Sequence, residues 1–193
     1  MNHASKKKSV PLAQSPRAWR QSAAGLKRTA DIVWERWFGI FKRLDGGQTA
    51  MATVQEGRDL MLLLPSVLLL YGLALENAVK GLLIAKDTSI VESRIKWKMK
   101  AGAHDLRELF KKADLLITSE EEDLLDALSD AVLWGGRYPV PKNHANRLDF
   151  PILLGLKSRT VDVMSIVSSF SDLKNSWERI YCHVLSKYPG QKK

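Results

Sequence analysis

Residues 60–86 read LMLLLPSVLLLYGLALENAVKGLLIAK, and this stretch decides the fold. The 16 residues from Leu60 to Leu75 are almost all apolar, but they are fewer than the roughly 20 needed to cross a bilayer. A helix that is apolar all round is typical of one covered by neighbouring helices. We therefore predict a central helix over residues 55–86, kinked or divided at Pro65. Peripheral membrane association through residues 60–75 is the alternative.

Four other segments carry apolar residues at helical spacing. They cover residues 29–44, 104–114, 119–134 and 157–187. Helices joined by short connections pack most simply with their neighbours antiparallel. The sequence therefore predicts an all-α fold, an up-and-down antiparallel helical bundle formed by a single domain over residues 28–188.

The ends of the chain differ from this domain in composition. Residues 1–27 are rich in Lys, Ser, Ala and Pro and have no sustained apolar period, so we predict a disordered basic tail. Residues 189–193 form a short C-terminal tail. The net charge of +9 comes from the termini, because residues 1–30 hold seven Lys or Arg and no acid, and Lys192 and Lys193 supply the other two charges. The N-terminal tail is either solvated or attracts phosphates non-specifically.

Cysteine and histidine positions narrow the classes of function. Cys182 is the only cysteine, so an internal disulfide is excluded and a reducing, cytoplasmic location is expected. No apolar segment of the kind that directs secretion is visible near the N-terminus. The four histidines are far apart, and no cysteine pair accompanies them. We therefore expect neither a metal site nor a cofactor.

Two local patterns place polar residues on or beside predicted helices. In ALENAVKGLL, residues 74–83, Glu76 and Lys80 are four positions apart and face the same side of a helix. His104 precedes the next helix, and Asp105 is a residue type that caps a helix through its side-chain oxygen. The pair His104–Asp105 is either such a cap or part of a catalytic or ligand-binding site.

The segment WGGRYPVP, residues 134–141, forms the third pattern. Its two glycines and two prolines fix an irregular backbone around Arg137 and Tyr138. A guanidinium fork matches a phosphate or a carboxylate. Arg137 therefore either faces a bound anion or ties the loop down by pairing with Asp105 or Glu76.

In this order the three patterns resemble the HEPN domain family. The resemblance covers about residues 55–188, with an Ala-Leu-Glu-x-x-x-Lys-x-Leu-Leu helix, a His-Asp-Leu-x-x-Leu helix and an Arg-Tyr-Pro segment. It implies an up-and-down helical bundle that forms a homodimer. Many family members are ribonucleases of toxin–antitoxin, phage-defence or RNA-processing systems.

Ribonucleases of this family resemble one another in an Arg that is followed a few residues later by a His. The closest match here joins Arg137 to His144. The resemblance implies that Arg137 stabilises the scissile phosphate and that His144 acts as acid or base, without a metal ion. Supporting polar contacts are expected from His104, Asp105, Glu76, Lys80 and Tyr138.

A set of basic side chains is predicted to contact the phosphates of RNA near this site. Residues 87–103 alternate basic and apolar side chains, which is typical either of a loop or of a short strand. The predicted phosphate contacts are Arg94, Lys96, Lys98, Lys100 and Lys142. A solvated connector is the alternative interpretation of this charge.

Two hypotheses for function follow from the resemblance. In the first, the chain is a metal-independent endoribonuclease of a prokaryotic toxin or defence system, with RNA as substrate and an antitoxin as partner. In the second, it is a non-catalytic module that binds a nucleotide phosphate through Arg137. Such a module dimerises or pairs with a nucleotidyltransferase-like protein. Neither hypothesis needs an integral membrane segment.

Overall fold

The computed structural model describes residues 12–45, 53–92, 96–97, 104–135 and 163–189. Within these ranges the fold is an all-α bundle, as predicted, with one hairpin of two very short strands. The helices in chain order are α1 (Pro16–Asp45), α2 (Val54–Lys86), α3 (Leu106–Lys112), α4 (Ser119–Asp130) and α5 (Val163–Ser186). Strands β1 (Val91–Glu92) and β2 (Lys96–Trp97) pair antiparallel between α2 and α3.

Helix α2 lies at the centre, and each of the other four helices contacts it. Its apolar surface supplies much of the core, and Leu75 and Leu82 are completely buried. Helix α1 runs antiparallel to α2, and the indole nitrogen of Trp37 donates a hydrogen bond to the carbonyl oxygen of Leu60 at 3.1 Å. On another side, the rings of Tyr71 and Trp177 of α5 lie 4.3 Å apart between centroids. Burial on several sides explains why α2 is apolar all round.

Pro65 does not divide α2, which runs as one helix from Val54 to Lys86. By length and composition alone α2 is long and apolar enough to span a membrane, and 56% of its most apolar window is buried inside the protein. Length and composition are weak evidence for a span, because the central helix of a bundle has the same properties. The structure therefore gives no clear integral membrane segment among the residues it describes.

The predicted N-terminal boundary at residue 28 is wrong, because α1 already begins at Pro16. Proline is favoured in the first turn of a helix, where its missing N–H has no partner to lose. Ala23 is completely buried, and the Cβ of Trp19 lies 2.8 Å from where a Cβ at Gly81 would stand. Small residues let α1 approach α2 this closely, so the low apolar content of residues 16–27 did not indicate disorder. Residues 1–11 lie outside the described ranges.

Helices α3 and α4 each begin with a side-chain cap. Asp105 caps α3, one of the two roles considered for it, and its side chain accepts from the backbone N–H of Glu108 at 3.0 Å. Thr118 and Glu121 form a reciprocal capping box at the start of α4. After α4 the chain continues through one π-helical turn, Ala131–Gly135. Residues 136–162, which include most of the WGGRYPVP segment, lie outside the described ranges.

Candidate functional site

The centre of the candidate site is a buried ion pair on α2. Glu76 and Lys80 are each 4% exposed, and the Lys80 ammonium hydrogen-bonds Oε1 of Glu76. The other carboxylate oxygen, Oε2, lies 3.1 Å from Nδ1 of His104. The fold therefore brings together three residues that the sequence patterns had placed on two separate segments.

The elements around His104 hold its ring against α2. Asp105, the next residue, is fixed by its role as the cap of α3. The backbone N–H of Leu106 donates to Oγ of Ser129 on α4 at 2.9 Å, and that hydroxyl donates to the carbonyl oxygen of Leu125 at 2.7 Å. The chain on the C-terminal side of His104 is thus tied to both α3 and α4. Asp105 supports the site as a helix cap, and its side chain contacts the backbone of α3.

The burial of Glu76 explains why its carboxylate needs a charged partner. A charged group loses several kcal/mol of hydration in a protein interior, so a lone carboxylate at Glu76 would be costly there. Lys80 supplies a compensating charge four residues along the same helix, in the order that favours pairing. His104 is different, because 39% of its side chain is exposed. The imidazole therefore links the buried pair to solvent.

The π-helical turn Ala131–Gly135 packs on the same side of α2 as Glu76. Val132, in this turn, lies so close to α2 that a Cβ at Gly72 would be 2.6 Å from its Cγ2. Gly72 is one helical turn before Glu76.

Most of the other predicted site residues lie outside the described ranges. They are Arg94, Lys98, Lys100, Arg137, Tyr138, Lys142 and His144. Lys96 lies in β2, where its backbone pairs with Glu92. The alternation in residues 87–103 therefore includes a short strand pair, one of the two interpretations of the sequence.

A second charged cluster, which we call the α1–α5 charge network, was not found from the sequence. It consists of Lys27, Asp31, Tyr71, Lys174 and Glu178. Asp31 accepts hydrogen bonds from Lys27 at 2.7 Å, from the Tyr71 hydroxyl at 2.8 Å and from Lys174. Glu178 pairs with both lysines, at 2.8 Å and 2.7 Å. The network joins α1, α2 and α5 around the buried Trp177 ring.

The α1–α5 charge network changes the ionisation of its members. Burial opposes the charged form of Asp31, but the hydrogen bonds from Lys174, Lys27 and Tyr71 outweigh it and lower the pKa of this carboxyl. Burial and the hydrogen bond to Asp31 both raise the pKa of Tyr71. Only the spacing Lys27–Asp31 and Lys174–Glu178 was visible in the sequence, and such surface pairs are common.

A pocket of about 270 Å³ lies apart from these clusters, between α3, α4 and α5. Its lining includes Phe110, Ile117, Glu121, Arg179 and His183. Nε2 of His183 is the one buried side-chain nitrogen or oxygen without a hydrogen-bond partner among the described residues. The same ranges contain no group of three or more His, Cys, Asp or Glu residues arranged to hold a metal ion.

Comparison with protein-family models, with curated proteins and with solved structures finds no match for this chain. The HEPN resemblance therefore rests on the three sequence patterns alone and stays a prediction.

Proposed function

We propose that this chain is a HEPN-type, RNA-associated protein that cleaves RNA without a metal ion, as part of a prokaryotic toxin or defence system. The observation that supports the proposal is the contact of His104 with the buried Glu76–Lys80 pair. The helix pattern ALENAVKGLL and the His-Asp-Leu pattern lie on separate segments of the sequence. A site that depends on both patterns is expected to bring their polar residues together.

The chemistry assigned to this site needs a cation for the phosphate and a group that moves protons. Arg137 is proposed to stabilise the charge that develops on the scissile phosphate, since a guanidinium fork matches phosphate oxygens. His144 is proposed as acid or base, because an imidazole exchanges protons near neutral pH.

The test is RNA cleavage by the purified full chain with divalent metals chelated. Mixed-sequence single-stranded RNA is incubated with the wild type, with Arg137→Ala and with His144→Ala, and cleavage is followed on denaturing gels. We expect both variants to lose cleavage by about 10²-fold or more. Arg137→Lys separates charge from fork geometry, and Asn146→Ala controls for a truncation in the same segment. Cleavage that survives in both alanine variants contradicts the assignment.

A second function, a non-catalytic module, is favoured by one observation. Both oxygens of Glu76 are occupied by Lys80 and His104, an arrangement that also serves to lock α2 to the start of α3. Under this hypothesis Arg137 binds a nucleotide phosphate, and the chain forms a homodimer or joins a nucleotidyltransferase-like partner. Wild-type protein that cleaves none of several RNAs, yet binds a nucleotide in a manner lost in Arg137→Ala, supports the module.

A further inference from the structure

His104 has one ring nitrogen committed to the protein and the other open. Nδ1 lies 3.1 Å from Oε2 of Glu76. Oε1 of the same carboxylate already accepts from the Lys80 ammonium, which is a donor only. A carboxylate held by an ammonium in this way is an acceptor, so Nδ1 carries the proton and donates it to Oε2. A neutral imidazole protonated at Nδ1 has an unprotonated Nε2.

Nε2 of His104 is accessible to a substrate. The His104 side chain is 39% exposed, whereas Glu76 and Lys80 are almost completely enclosed. Among the described residues the only buried, unpartnered side-chain nitrogen or oxygen is Nε2 of His183. Nε2 of His104 has no hydrogen-bond partner among the described residues and is not a buried, unpartnered atom, so it is accessible. The Glu76 carboxylate thus orients the ring through Nδ1, and Nε2 is free to accept a proton from a substrate.

We infer that His104 is a catalytic base, and that Glu76 and Lys80 are positioning residues that fix its tautomer and orientation. The arrangement follows the general logic of a base oriented by a buried carboxylate, in which the carboxylate also stabilises the imidazolium that forms. This inference rests on the proposed function, and it adds a proton acceptor to it. It also commits the site to substrates that carry a hydroxyl group beside the phosphate, which means RNA rather than DNA.

The step assigned to His104 balances without a cofactor. The 2′-hydroxyl gives its proton to Nε2 of His104, and its oxygen forms a bond to the adjacent phosphorus. The bond from phosphorus to the 5′-oxygen breaks, and the departing oxygen takes a proton from the general acid, the role that is left to His144 in the proposed function. The imidazolium then releases its proton to solvent. The products are a 2′,3′-cyclic phosphate and a 5′-hydroxyl end.

The test compares His104→Ala with a matched histidine variant, His183→Ala, on the same RNA oligonucleotide. His104 is half exposed, so its truncation is compatible with folding, which circular dichroism checks. We expect kcat to fall by about 10²- to 10⁴-fold in His104→Ala, with KM close to that of the wild type. His183→Ala is expected to retain the wild-type kcat. An oligonucleotide with 2′-deoxy sugars is expected to remain intact, and the RNA products are expected to carry cyclic phosphate ends.

A second readout does not depend on activity. Nitrogen-15 NMR distinguishes a protonated from an unprotonated ring nitrogen, and the His104 signals are those missing from His104→Ala. We expect the wild type to show the tautomer protonated at Nδ1. In Glu76→Gln, whose amide also presents a donor to the ring, we expect the other tautomer to appear and kcat to fall while KM changes little. A purely structural role for Glu76 predicts the same change of tautomer without a fall in kcat.

The outcomes separate this inference from the proposed function. If His104→Ala cleaves at the wild-type rate while Arg137→Ala or His144→Ala is inactive, the function stands and the role of His104 is refuted. A wild-type tautomer protonated at Nε2 refutes that role as well. If the wild type cleaves no RNA, the proposed function fails, and the assignment of His104 as its base fails with it.

Discussion

The close contact between α2 and α4 at Gly72 predicts that alanine at this position destabilises the protein. A Cβ at position 72 would lie 2.6 Å from Cγ2 of Val132 and 2.9 Å from the carbonyl oxygen of Leu128. Val132 is buried, and the Leu128 carbonyl belongs to the backbone of α4, so neither moves aside easily. Gly25, on α1, is also inside a helix, but a Cβ there meets nothing within 4 Å. Gly25→Ala and Gly72→Ala therefore make the same chemical change in a helix, and they differ only in the space around the new Cβ.

The two substitutions are expected to change the free energy of unfolding in opposite directions. Replacing a glycine inside a helix by alanine favours the folded state by about 0.5–1 kcal/mol, and Gly25→Ala is expected to gain this amount. At Gly72 the same gain is offset by overpacking, which costs about 1–3 kcal/mol. The backbone oxygen at 2.9 Å favours the upper part of that range. We expect Gly72→Ala to be destabilised by about 2 kcal/mol, and hence to be about 2–3 kcal/mol less stable than Gly25→Ala.

Urea unfolding followed by tryptophan fluorescence measures this difference. With slopes of about 1–3 kcal/mol per molar urea, the two midpoints are expected to differ by about 1 M or more. Equal stabilisation in both variants would refute the argument, because it would mean that α4 and the π-helical turn do not pack on Gly72. A destabilised Gly25→Ala would show instead that the surface of α1 at that position is covered.

Three further predictions concern stability. The pKa of Asp31 lies below its ordinary value near 3.8. The stabilisation from the α1–α5 charge network is therefore present above that pH and is lost as the pH falls through the lowered pKa. We expect the urea unfolding of Asp31→Asn to depend less on pH between about pH 5 and pH 2 than that of the wild type. Thr118→Ala removes the capping box of α4 and is expected to cost about 1 kcal/mol in the free energy of unfolding, whereas an equal midpoint contradicts the cap. Tyr188→Phe removes the buried 2.6 Å hydrogen bond to the carbonyl oxygen of Ala78, and calorimetry is expected to show a loss of about 1–3 kcal/mol; unchanged stability contradicts this contact.

The helices could be predicted from the sequence because periodicity and caps are local signals. The predicted segment 55–86 matches α2 to within one residue at its start, and Asp105, named as a residue type that caps a helix, is the cap of α3. The start of α1 could not be predicted in this way. Residues 16–27 have few large apolar side chains, and they are helical because they pack on Gly81 and the C-terminal end of α5. That information lies more than fifty residues away in the chain.

The candidate site was predictable only where its residues belong to short patterns. Glu76 and Lys80 are four residues apart, and His104 directly precedes the cap residue Asp105. Each of these patterns is local and can be recognised in the sequence. Their contact depends on how α3 docks on α2, which periodicity does not specify. The α1–α5 charge network is the opposite case, because Lys27 and Glu178 are separated by 151 positions. No local pattern connects two residues so far apart.

The π-helical turn Ala131–Gly135 amounts to one residue more than an α-helix of the same height requires. Each residue of an α-helix turns the chain by about 100°. A natural deletion of a single residue in this turn would let α4 continue as a regular helix, and it would rotate the point where the chain leaves by about that angle. A single residue in this turn therefore determines the direction in which the chain leaves the end of α4 at Gly135.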